Sequence, residues 1–211
     1  MINKKEILAL VFALIILAFS DSFKQILGGN SIAFVNSLMI FAIIMIIYIA
    51  AKKITAYYYE SKEESKLWTF QRYGLYTRSY FKTPIPIGII LPFLLSILSL
   101  GYIKWFAVTE SDVNPTPARA VRRHDFYSFS EMTEYHLALI SAAGIFFVLL
   151  IAPLAYVINV PELAKASIFF ACFNMLPLGK LDGTRIFFGS VTLWLVLAIV
   201  CIIGLTYAIL L

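Results

Sequence analysis

Charged residues are scarce in this chain. Asp, Glu, Lys and Arg make up 14% of its 211 residues, whereas 61% of the residues are hydrophobic. Soluble domains contain roughly 25% charged residues, so the composition excludes an ordinary soluble domain. The sequence therefore predicts an integral membrane protein, with the lipid bilayer as its first partner.

Cysteine and histidine are also rare. Both cysteines, Cys172 and Cys201, lie inside apolar runs, where a small buried thiol is an ordinary core residue. They indicate neither a disulfide framework nor a cysteine-based metal site. The two histidines, His124 and His136, lie in the second half of the chain.

The basic residues outnumber the acidic ones, which gives a net charge of +5. Many of them alternate with aromatic residues in the segment 52–83, a pattern that can stack single-stranded nucleic acid. Aromatic and basic residues beside a membrane span more often form an interfacial belt that faces lipid headgroups. We therefore expect a cytoplasmic interfacial segment at 52–83 and no nucleic-acid partner.

The apolar runs predict a polytopic, all-α membrane protein. Residues 1–30 contain the first span or signal-anchor and a glycine-rich break, although the run 7–19 also resembles the apolar core of a signal peptide. Residues 31–211 form the main membrane domain. Within it we predict spans at about 31–51, 136–160, 163–178 and 186–211, and a polar loop at 107–134.

The segment 84–106 is apolar but contains three prolines, so it is either a kinked span or a re-entrant element. The distribution of Lys and Arg favours the second interpretation. If the segment returns to the side it came from, 15 of the 17 basic residues lie inside, against ten if it spans. The positive-inside rule thus predicts five spans plus one re-entrant segment in the cell membrane, with a cytoplasmic amino terminus.

A polar motif interrupts the apolar sequence at 174–183, Asn-Met-Leu-Pro-Leu-Gly-Lys-Leu-Asp-Gly. An ionisable residue close to membrane spans is costly without a partner, so Asp182 is a candidate functional residue. The alternative is a simple turn, in which Asp182 or Thr184 caps the helix that follows.

The pattern Asn-x-x-Pro-x-x-x-Leu-Asp-Gly, formed by Asn174, Pro177, Leu181, Asp182 and Gly183, resembles the third motif of the site-2 protease family. Members of this family are membrane-embedded zinc metalloproteases that cleave transmembrane helices of other proteins. The resemblance covers about residues 31–190. It implies a site-2-protease-like core, an active site near the cytoplasmic face, and a zinc-ligand position at Asp182.

The other residues that the family needs are missing. Its His-Glu-x-x-His sequence supplies two zinc ligands, four residues apart on one helical face, and the general base. In this chain Tyr48 and Lys52 stand at the histidine positions, and Ile49 stands at the glutamate position. In the family's Gly-Pro-x-x-Asn motif, Ile145 replaces the proline and Val148 the asparagine. These replacements predict a degenerate member that has lost hydrolysis.

Two interpretations of Asp182 follow. We hypothesise that Lys52 and Asp182 form a salt bridge in place of the metal, in which case no cofactor is expected. Alternatively, His124, His136 and Asp182 form a substitute zinc site, although eleven residues between two histidines is no recognised ligand spacing.

The expected function is that of a catalytically inactive pseudoprotease that binds or regulates a transmembrane helix of another protein. Two alternatives remain at this point. The chain is an active intramembrane metalloendopeptidase with unconventional zinc ligands, or it is a small transporter or lipid-binding membrane protein.

Overall fold

The computed structural model describes residues 3–72, 80–116 and 132–210. Within these ranges the chain forms seven helices and four strands. The helices are α1 (Lys4–Leu27), α2 (Ile32–Tyr58), α3 (Ile87–Leu98), α4 (Glu134–Val157), α5 (Pro161–Asn174), α6 (Asp182–Gly189) and α7 (Val191–Leu210). The strands are β1 (Ser61–Leu67), β2 (Phe70–Arg72), β3 (Tyr80–Ile85) and β4 (Thr109–Pro115).

Four helices, α1, α2, α4 and α7, are long and apolar enough to cross a membrane. The helix observed at the predicted span 163–178 is shorter than predicted. It corresponds to α5, whose 14 residues extend about 21 Å, less than the roughly 30 Å of a bilayer core. The helix is short because Pro161 lies in its first turn and the chain leaves the helix after Asn174.

The prediction for the carboxyl-terminal span also needs correction. The predicted helix 186–211 is interrupted at Ser190, whose backbone is extended and ends α6. The Ser190 hydroxyl then accepts a hydrogen bond from the Leu193 amide at 3.3 Å, which satisfies one of the free amides at the start of α7.

The all-α prediction is incomplete because the described chain contains two small sheets. β1 pairs with β4, and β2 pairs antiparallel with β3. The predicted interfacial segment 52–83 begins as the end of α2 and continues into β1, β2 and β3. The predicted loop 107–134 contains β4, and its residues 117–131 lie outside the described ranges.

The ambiguous apolar segment 84–106 contains α3. Its 12 residues extend about 18 Å, less than the roughly 30 Å of a bilayer core. Gly88 lies in a place where a side chain does not fit, since an added Cβ would be 2.2 Å from the carbonyl oxygen of Val108.

The contacts divide the chain into two compact units. The first comprises residues 1–41 and 65–110. In it α1 packs against α3, and the rings of Phe19 and Phe93 stack at 5.5 Å. Asp21 accepts a hydrogen bond from Ser37 at 2.7 Å and pairs with Lys104 at 2.8 Å.

The second unit comprises residues 42–64 and 111–211. Here α4 packs against α5 and α6, and α7 packs mainly against α5. Its core contains fully buried small and branched side chains, including Ala138, Ile145, Val148, Ala171 and Ile186. All candidate site residues in the described part of the chain belong to this unit.

Candidate functional site

Three predicted site residues meet in the second unit. Tyr48 and Lys52 are four residues apart on α2 and therefore share one helical face, while Asp182 is the first residue of α6. The Lys52 Nζ atom lies 2.5 Å from Asp182 Oδ2, and both side chains are at most 2% exposed. The predicted Lys52–Asp182 salt bridge is therefore confirmed.

The Lys52 ammonium has three N–H donors, and each faces an oxygen acceptor. Besides Asp182, these are the Tyr48 hydroxyl at 2.9 Å and the Ser111 hydroxyl of β4 at 2.5 Å. The ammonium also lies 4.1 Å from the centre of the Tyr48 ring, a distance at which the ring face attracts a cation. The charge is thus fully paired inside the protein.

The Asp182 carboxylate is equally well satisfied. Its Oδ2 atom accepts a hydrogen bond from the Tyr48 hydroxyl, and its Oδ1 atom accepts one from the Ser141 hydroxyl of α4 at 3.1 Å. Its position in the first turn of α6 places the negative charge at the positive end of a helix dipole. We call Tyr48, Lys52, Ser111, Ser141 and Asp182 the ionic cluster.

The motif 174–183 positions Asp182 through a tight reversal between α5 and α6. The side-chain Nδ2 atom of Asn174 donates a hydrogen bond to the carbonyl oxygen of Phe170 at 2.8 Å, inside α5. Gly179 has a φ of 55°, a conformation that favours glycine. Leu181 is fully buried just before the helix, whereas Pro177 is exposed in the turn.

The last position of the motif, Gly183, requires a glycine because the backbone passes close to it. A Cβ atom at this position would lie 2.1 Å from the Met175 carbonyl oxygen. The start of α6 therefore presses directly against the end of the reversal, and only a glycine permits this approach.

Gly144 of α4 performs a similar role beside the cluster. A Cβ there would lie 2.9 Å from both the Lys52 Cγ atom and the Tyr48 ring. We expect Gly144→Ala to lower the free energy of unfolding by about 1–3 kcal/mol, because the added carbon displaces one of these side chains. Gly204→Ala is the control, since its Cβ would make only an ordinary contact of 3.4 Å with Ile168. Chemical unfolding in detergent measures both, and equal values for the two variants would contradict the packing.

Arg185 of α6 is a second basic side chain beside the cluster, after Lys52 of α2. Its Nη2 atom donates to the carbonyl oxygen of Ser111, so the backbone and the hydroxyl of that residue both bind cationic groups. The strand residue Ser111 is consequently held by α2 on one side and by α6 on the other.

The remaining candidates lie elsewhere or are inert. Ile49 follows Tyr48 on α2 as a half-buried apolar side chain that cannot accept a proton. The His136 Nδ1 atom lies 2.5 Å from the Thr133 hydroxyl, and its ring packs 4.8 Å from that of Tyr59. His124 lies outside the described residues.

Comparison of the chain with known proteins finds no match. No protein-family model matches it, and neither a curated protein nor a solved structure is significantly similar.

The donor set of the ionic cluster does not fit zinc. Zinc in proteins is bound by Cys, His and carboxylate groups, with three protein ligands in catalytic sites, and Asp182 is the one such group in the cluster. An ammonium at 2.5 Å from its carboxylate would repel a cation at that place. Across residues 3–72, 80–116 and 132–210, no group of three or more His, Cys, Asp or Glu side chains could hold a metal ion.

Three partners in the site, Ser111, Ser141 and Arg185, have no feature in the sequence that predicts their contacts. Ser141 belongs to a run of small residues, which is a usual sign of close helix packing and gives no sign of a polar contact. No sequence spacing predicts the contact of Ser111 with Arg185. The two residues are 74 positions apart in the sequence, and only the folded chain brings β4 to the cluster.

Proposed function

We propose that the protein is a non-catalytic, site-2-protease-like membrane protein, in which a salt bridge stands where that family holds its zinc. The single observation that carries this proposal is the contact of Lys52 with Asp182. The two residues are 130 positions apart in the sequence, and it was the resemblance that predicted their meeting.

The chemistry of the cluster supports an inactive site. A metalloprotease needs an open metal position for water and a general base that takes its proton. In the cluster Lys52 is a cation with no free acceptor, and Ile49 stands at the position of the base. Tyr48 is about 1% exposed, so the cluster is also closed to water.

We further propose that the chain spans the cell membrane several times with its amino terminus in the cytoplasm. The segment 52–83 contains seven Lys and Arg residues, and two spans place it on the same side as the amino terminus, which supports this orientation. The partner that the resemblance implies is a transmembrane helix of another protein, which this chain would hold or regulate without cleaving it. The broad apolar surfaces of α1, α2 and α7 support a partner within the bilayer.

Metal analysis of the purified protein tests the proposal. We expect the wild-type protein to retain no more zinc than the Asp182→Ala variant. Restoring the lost motif with Tyr48→His, Ile49→Glu and Lys52→His should create two imidazole ligands opposite Asp182 and bring in about one zinc per chain.

The control for the restored variant is the same set of substitutions combined with Asp182→Ala, which should lose the metal. Stoichiometric zinc in the wild-type protein that disappears with Asp182→Ala would overturn the proposed function. A folded restored variant that binds no zinc would contradict the inherited geometry.

A further inference from the structure

An apolar groove runs along the second unit between α4 and α7, with α5 at its floor. It has a volume of about 750 Å³, within the range of roughly 300–1,000 Å³ that is typical of ligand pockets. On α7 its lining follows one helical stripe that includes Leu193, Val196, Val200, Gly204 and Tyr207. No residue of the ionic cluster lines the groove.

The groove is long enough for a lipid chain. The stripe from Leu193 to Tyr207 extends about 21 Å along α7. One leaflet contributes about half of the roughly 30 Å hydrocarbon core of a bilayer. The groove is therefore longer than the roughly 15 Å depth of one leaflet, and a single acyl chain of that leaflet fits within it.

The polar atoms of the groove lie at one end. Among the described side chains that line it, Tyr156 and Tyr207 alone carry a polar atom, and their rings meet edge to face at 5.6 Å. Both residues lie in the last turn of their helices, α4 and α7. Tyrosine at the end of a membrane helix is typical of the headgroup region, so the groove has an apolar body and a polar mouth.

The placement of the polar atoms indicates the kind of occupant. A small ligand with an apolar tail and a polar head matches both the volume and the placement of the two hydroxyls.

We propose that this groove binds one membrane phospholipid, with an acyl chain along α7 and the headgroup beside Tyr156 and Tyr207. This inference goes beyond the proposed function and does not depend on the ionic cluster. It assigns a lipid site to a surface that the resemblance does not address.

Native mass spectrometry of the detergent-purified protein tests the site, after incubation with vesicles of phosphatidylethanolamine and phosphatidylglycerol. We expect one lipid to stay bound to the wild-type chain. Gly204→Leu fills the groove and should lower the lipid-bound fraction about tenfold, which corresponds to about 1.4 kcal/mol. The substitution starts from a Cβ position with ordinary contacts, and the thermal midpoint verifies folding.

Ile202→Phe is the matched control, because Ile202 is exposed on α7 and does not line the groove. It should leave lipid binding unchanged. Val200→Phe provides a second filling variant should Gly204→Leu fail to fold. Unchanged lipid retention in a folded filling variant would overturn the proposal, as would a dimer of the chain that replaces the lipid and is lost with Gly204→Leu.

Discussion

Asp182→Ala is expected to lower the free energy of unfolding by about 3–5 kcal/mol, the usual cost of removing one partner of a buried ion pair. The substitution leaves the Lys52 ammonium buried without its counter-charge, and it also removes the acceptor of Tyr48 and Ser141. Lys52→Ala should have an effect of similar size, since it strands the carboxylate instead. Denaturant titration of the protein in detergent measures both.

The ion pair between Asp21 and Lys104 provides the control for this prediction. Its separation of 2.8 Å is that of a good salt bridge, but the two side chains are 22% and 39% exposed. Water therefore screens the pair, and Asp21→Ala should cost no more than about 1 kcal/mol. If Asp182→Ala cost as little as Asp21→Ala, the burial of the cluster would contribute nothing to its strength.

Gly183→Ala is expected to lower the free energy of unfolding by at least about 3 kcal/mol, the upper end of the range for overpacking. The new methyl group would lie 2.1 Å from the Met175 carbonyl oxygen. Backbone cannot rotate away as a side chain does, so the reversal between α5 and α6 must open. Such a movement would also draw Asp182 away from Lys52.

Thr184→Ala, one residue further along α6, is the matched control. The Thr184 hydroxyl is buried without a hydrogen-bond partner in the described part of the chain, so its removal should change stability by less than about 1 kcal/mol. The same detergent titration compares the two variants. Comparable losses for both would show that the close approach at Gly183 does not constrain the helix.

The meeting of α2 with α6 could be predicted only through the family resemblance, which places the segment 48–53 opposite the Leu-Asp-Gly pattern. Residues four apart on a helix share a face, which places Tyr48 and Lys52 together, and the Leu-Asp-Gly pattern marks Asp182. The chemical logic of a buried charge then requires a partner for Asp182. Nothing comparable marks Ser111 or Ser141, because a single serine in a polar or small-residue run has no characteristic spacing.

The errors in the fold have physical causes as well. The run 163–178 is apolar enough for a span, but the helix ends at Asn174, where the chain turns toward Asp182. β1 consists largely of charged and small polar residues, which have low strand propensity, so its pairing with β4 must come from tertiary contacts. The break at Ser190 could not be predicted, because it lies inside an apolar sequence without a proline.

A double-mutant cycle between Lys52 and Asp182 tests the central claim most directly. The unfolding free energies of the wild type, Lys52→Met, Asp182→Leu and the double variant give the coupling between the two side chains. For a buried pair in contact we predict a coupling of about 2–3 kcal/mol. The double variant should be more stable than either single variant, because each single variant leaves a lone buried charge and the double variant leaves none. Effects that add to within about 0.5 kcal/mol would contradict a salt bridge at this centre.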